Sequence, residues 1–81
     1  MASYDEVKAR LQAVFHEVFD DTSIELFDEM TAEDVDDWDS VNHITLVLSV
    51  EKEFGLKLKV GEIAKLNDVG AMIRMLMERV P

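Results

Sequence analysis

The 81-residue chain predicts an all-α fold: a small four-helix bundle of three main helices and one short helix, with a long acidic loop between helices 1 and 2. Three observations carry that prediction. Apolar residues recur at helical spacing near both ends of the chain. Polar caps and a stop glycine bracket the apolar stretches. The alternating run Leu56-Lys57-Leu58-Lys59-Val60 has no partner segment with which to build a sheet.

Helix 1 opens at Ser3-Tyr4-Asp5-Glu6, a Ser-x-x-Glu capping box in which each end satisfies a free donor of the other. Val7, Leu11, Val14, Phe15 and Val18 form its apolar stripe, Phe19 adjoins it, and Asp20-Asp21 end it. His16 falls off the stripe and is expected on the surface. Residues 20–39 hold ten acids and no base, interleaved with Ile24, Leu26, Phe27, Met30, Val35 and Trp38, side chains able to pin the segment to a core. Thr31-Ala32-Glu33-Asp34 can cap a short helical turn. The loop does not fit an EF-hand: counted from Asp34, Trp38 and Asp39 stand where an oxygen ligand and a glycine are required.

The segment from Ser40 to Phe54 carries two patterns. Ile44, Leu46, Leu48 and Val50 alternate as in a strand, whereas Val41, Ile44, Val47, Leu48 and Phe54 keep helical spacing. Its length and the C-cap glycine Gly55, followed by Leu56, favour helix. Beyond it, Leu56, Leu58 and Val60 are expected to be buried in an extended connector, and a short helix is expected over Glu62 to Leu66. Asn67-Asp68 caps the last helix, whose stripe is Val69, Met72, Ile73, Leu76, Met77 and Val80; Gly70 costs it a little stability.

Residues 1–81 read as a single domain without a linker or repeat. Absence of Cys removes thiolate metal sites and disulfides, and no apolar run reaches the roughly 20 residues of a membrane span. A cytoplasmic monomer is the default expectation. The formal net charge of −10 resides in residues 20–39, which argues against nucleic acid and for partners with basic surfaces.

Asp39-Ser40 stands at the start of the second helix, where either residue can serve as its N-cap. Asp39-Ser40-Val41, followed by Ile44, Val47-Leu48 and Glu51-Lys52-Glu53-Phe54-Gly55, resembles the Asp-Ser-Leu motif and second helix of acyl carrier proteins. The resemblance implies a 4′-phosphopantetheine arm on Ser40, installed from coenzyme A by a phosphopantetheinyl transferase with Mg²⁺, and acyl groups held on the arm as thioesters. It assigns Asp39 to presenting the serine and no catalytic residue to the carrier itself. Implied partners are acyl-transferring, ketosynthase-type or ligase enzymes with basic docking surfaces, in fatty-acid, polyketide or other specialised pathways.

Glu51 and Glu53 match the family's docking acids, and Val41 takes the motif's Leu position. Asn42, Thr45 and Lys52 stand where acids are common. Acidity is shifted into Asp36 and Asp37, beside Trp38, so a docking surface of Asp36, Asp37, Trp38, Val41, Thr45, Glu51 and Glu53 is expected on a specialised carrier. His43, one turn after Ser40, is expected to be exposed without a role. The alternatives are a small acidic helical adaptor without a prosthetic group, an aminoacyl (D-alanyl or peptidyl) carrier, and a hydrolase using Asp39, Ser40 and His43 as a triad.

Overall fold

The computed structural model describes residues 3–59, 61–62, 66 and 68–79. Helix α1 spans Tyr4–Phe19, a 3-10 turn spans Ala32–Asp34, α2 spans Ser40–Phe54 and α3 spans Val69–Arg79, with no strand among the described residues. The architecture is all-helical, as the spacing predicts. Gly61 and Glu62 are helical, while residues 63–65, in the middle of the expected short helix, lie outside the described set, as do Val60, Asn67 and Val80.

Helix α1 starts where its cap demands: the Glu6 amide donates to Ser3 Oγ at 3.2 Å. The reciprocal capping box is completed at the 3-10 turn instead, where the Glu33 amide donates to Thr31 Oγ1 and the Thr31 amide to Asp34 Oδ2. Asp20 ends α1 in the left-handed conformation (φ 50°), tolerable for an aspartate, and His16 O accepts from both Asp20 and Asp21 amides. Gly55 ends α2 in the same way at φ 65°, with the Gly55 and Leu56 amides both closing onto Glu51 O. Asp68 caps α3 through the Ala71 amide at 2.7 Å.

Helix α1 packs against both α2 and α3. Its stripe is buried as expected, save that Val18 is half-buried; Val69, Met72, Ile73 and Leu76 meet it from α3. Leu56 and Leu58 are partly buried against this core. The inner face of α2 differs from expectation. Leu46, Val47, Val50 and Phe54 are buried, whereas Val41, Ile44 and Leu48 face outward at 72, 63 and 60% exposure. Burying the outer row, which runs 41, 44, 45, 48, 52, would have carried the Lys52 ammonium into the core. The chosen row ends on Phe54 instead.

The acidic segment 20–39 is anchored by Ile24, Leu26, Met30, Val35 and Trp38, all buried; Phe27 is the exception at 43% exposure. Polar contacts add to this. His16 is half-buried rather than surface-solvated, with Nε2 2.7 Å from Ile24 O, and the Leu26 amide donates to Gln12 Oε1. The Tyr4 hydroxyl donates to Asp28, which raises the phenol's pKa above its ordinary value. Two amides of α3, from Val69 and Gly70, donate to Met30 O and Asp28 O at 2.9 Å each. Gly70 eases this approach: a Cβ there would lie 3.0 Å from Asp28 O, closer than ordinary van der Waals contact. Its value is steric, not the mere helix penalty its sequence position suggests.

Candidate functional site around Ser40

The chain enters α2 through a series of local bonds. Trp38 N–H donates to Val35 O and Asp39 N–H to Asp37 O, each at 3.0 Å. Asn42 reaches back with its side-chain amide to Asp37 O at 2.6 Å. Asp39 is extended and is the N-cap: its Oδ1 accepts from the Asn42 amide at 2.8 Å. The capping task therefore falls to Asp39, and Ser40, the first helical residue, presents an exposed side chain. That hydroxyl stands at the end of α2 where free N–H groups and the helix dipole favour an anion.

Trp38 forms the support beneath. Its indole is 6% exposed, edge-on to Phe15 at 5.3 Å between centroids and 6.3 Å from Phe19. The indole N–H donates to His43 Nδ1 at 3.0 Å, and the two rings lie within 20° of parallel. A neutral His43 in this network accepts at Nδ1 and so carries its proton on Nε2. An open cleft of about 520 Å³ adjoins the serine, lined by Ala32, Trp38, Asp39, Ser40, His43 and Leu66.

This arrangement changes several expectations. Trp38, expected both among the side chains that pin the segment to the core and on a docking surface, is buried as the first reading has it, its ring completing the aromatic cluster of α1. His43 is half-buried and bonded, not idle on the surface. Glu51 and Glu53 are both engaged within the chain. Glu51 Oε2 accepts from the Leu58 amide at 2.7 Å, and Glu53 Oε2 pairs with Arg10 Nε at 3.0 Å. Asp36, Asp37, Val41 and Thr45 are exposed. Asp39, Ser40 and His43 do not form a hydrolytic triad: Asp39 is turned to the Asn42 amide and His43 Nδ1 to the indole, and no acid among the described residues orients the imidazole.

Sequence reasoning missed Asn42 as the clamp on the loop, and Ala32 and Leu66 as walls of the cleft. For His43 the signal was available, since three residues after Ser40 places it on the same side of the helix.

No family model matches the chain, and no curated protein matches it. Among solved structures, the holo acyl carrier protein of Geobacter metallireducens, determined in solution by NMR, is similar to it at a TM-score of 0.84 and 38% identity. The match covers 89% of this chain and 83% of that one. Identity at this level over most of both chains, with the same helical fold, shows that the chain belongs to the acyl carrier protein family.

Proposed function

We propose that Ser40 is the attachment point of a 4′-phosphopantetheine arm and that the protein carries acyl groups as thioesters on it. The single observation behind this is an exposed serine hydroxyl left free at the first position of α2 by the Asp39 cap, inside a chain of this family. The residues fit the group. A phosphodiester on Ser40 meets the positive end of α2, and the cleft walled by Ala32, His43 and Leu66 gives the adjoining arm a place to rest. The bound group supplies the thiol that a chain without Cys lacks.

The protein's own residues present and position. Asp39 and Asn42 fix the turn into the serine, and the Trp38–His43 pair holds the wall beside it. On this reading the chain is a single-domain, monomeric cytoplasmic carrier, not a catalyst. A phosphopantetheinyl transferase loads it from coenzyme A with Mg²⁺, and acyl-transferring enzymes of a fatty-acid, polyketide or related pathway use it.

Co-expression with a broad-specificity phosphopantetheinyl transferase followed by intact-mass measurement tests the proposal. One phosphopantetheine is expected on the wild-type chain and none on Ser40→Ala. No gain on the wild type, or a gain that survives the substitution, overturns it. The mass of the thioester on protein from its own host separates acyl from aminoacyl cargo.

A further inference from the structure

One side chain in the cleft beside Ser40 keeps a hydrogen-bond donor that the fold itself does not use. Among the described lining residues, Ala32 and Leu66 are apolar, Trp38 gives its N–H to His43, and the Asp39 carboxylate is an acceptor turned to the Asn42 amide. The Ser40 hydroxyl loses its own proton once the oxygen is esterified. His43 remains. Its Nδ1 accepts the indole N–H at 3.0 Å, and a proton on Nδ1 would meet that N–H donor to donor, so the network selects the ring that carries its proton on Nε2. That Nε2–H has no acceptor among the described residues. The ring also leans toward the serine. Helical side chains tilt toward the N-terminus, residues three apart share a face, and the bond to Trp38, five positions back, displays that lean directly.

We infer that His43 is a binding residue for the group carried on Ser40: its Nε2–H donates to a phosphodiester oxygen at the base of the arm, and Trp38 fixes the tautomer that makes this possible. This deepens, and rests on, the attachment reading above. An anion on Ser40 stands near the carboxylate of Asp39 in the same cleft and those of Asp36 and Asp37 on the segment before it, all three exposed. Those like charges repel it. A donor held at a fixed place offsets the repulsion, because a hydrogen bond to an ionised acceptor is roughly twice as strong as one between neutral groups. It also gives the arm a direction. A phosphodiester bonded to His43 is held on the His43 side of Ser40 and is restricted in rotation about its ester bond.

The test uses the full chain, loaded from coenzyme A by a phosphopantetheinyl transferase and observed by NMR. Loading of the wild type comes first; its absence overturns the attachment reading and this inference with it. In loaded wild-type protein at neutral pH, the imidazole nitrogen shifts of His43 are expected to show a bare Nδ1 and a protonated Nε2, and the Nε2 proton is expected to exchange with water more slowly than in the unloaded chain. Two substitutions then separate the bond to the arm from the bond to Trp38. His43→Gln places an amide N–H where Nε2 stands and so keeps the donor. His43→Asn reaches only as far as Nδ1, which keeps an acceptor for the indole but leaves no donor for the phosphodiester. The phosphorus resonance of the loaded chain is expected to stay within a linewidth of wild type in the glutamine variant and to move by more than a linewidth in the asparagine variant. Circular dichroism checks that α2 persists in both, and the wild-type measurements depend on neither. A ring protonated on Nδ1, proton exchange unchanged by loading, a phosphorus resonance indifferent to His43→Asn, or one displaced as far by His43→Gln overturns the inference while leaving Ser40 attachment intact.

Discussion

Residues 20–39 and helix α2 handle their apolar side chains in opposite ways. The connecting segment holds ten acids and no base, yet turns Ile24, Leu26, Met30, Val35 and Trp38 into the core. Helix α2 is rich in aliphatic residues, yet holds Val41, Ile44 and Leu48 in solvent. Burial here follows geometry and not local composition. A loop that must travel from the end of α1 to the start of α2 is held down at several points, because each buried apolar side chain contributes about 1.5–3 kcal/mol against the entropy of ordering the chain. A helix packed along one side against α1 has a second side to spare, and its apolar row there is free for another surface.

The contrast is broken most directly by truncation. Trp38→Ala is expected to cost about 3–5 kcal/mol, because it empties the space between Phe15, Phe19 and His43. Leu48→Ala on α2 should stay within about 0.5 kcal/mol. Urea unfolding midpoints measure both, and comparable losses would show that the outer row of α2 supports the fold after all.

A smaller effect is expected at the contact between the acidic segment and α3. Gly70→Ala gains roughly 1 kcal/mol of helix propensity but forces a Cβ to within 3.0 Å of the Asp28 carbonyl oxygen and 3.1 Å of Asp28 Cβ. Overpacking of this kind costs about 1–3 kcal/mol, so a net destabilisation of about 1 kcal/mol is the expected outcome in the same unfolding measurement. A stabilised variant would mean that the segment yields easily and is less firmly seated than its buried residues imply.

The smallest effect concerns acid. Hydrogen bonds from the Ser23 hydroxyl and amide hold the Asp21 carboxyl below the usual carboxylate range. A depressed folded-state pKa contributes stability that is present above the unfolded value and is lost as pH falls through the folded one. Asp21→Asn should therefore lose less stability than the wild type as pH falls below about 4, the ordinary aspartate value. Equal slopes of stability against pH would show that these bonds do not survive in solution.

Much of this architecture was legible residue by residue. Ser3, Asp68 and Gly55 mark helix boundaries through bonds to residues within four positions, and such local chemistry is written in adjacent letters. The rotation of α2 was not legible. Its strand-like and helical patterns overlap at Ile44 and Leu48, and the choice of inner row depends on α1 and on keeping Lys52 out of the core. Ser40 could be found from its motif, but its freedom from capping required the geometry of Asp39. The fates of Glu51 and Glu53 were hidden as well. Arg10 stands 43 positions from Glu53, and nothing in the sequence between them announces the pairing. Trp38 could be read both as a core anchor and, sitting among aspartates, as part of a docking surface; the phenylalanines of the first helix that decide for the core are distant in sequence.

Trp38 is the chain's single tryptophan, two residues before Ser40, with its N–H committed to an imidazole that lines the cleft beside the serine. The protein thus carries its own chromophore at the place where chemistry is proposed to happen. Indole emission depends on the polarity and hydrogen bonding around the ring, so events at the serine can be followed in real time from the ultraviolet fluorescence of the unlabelled chain.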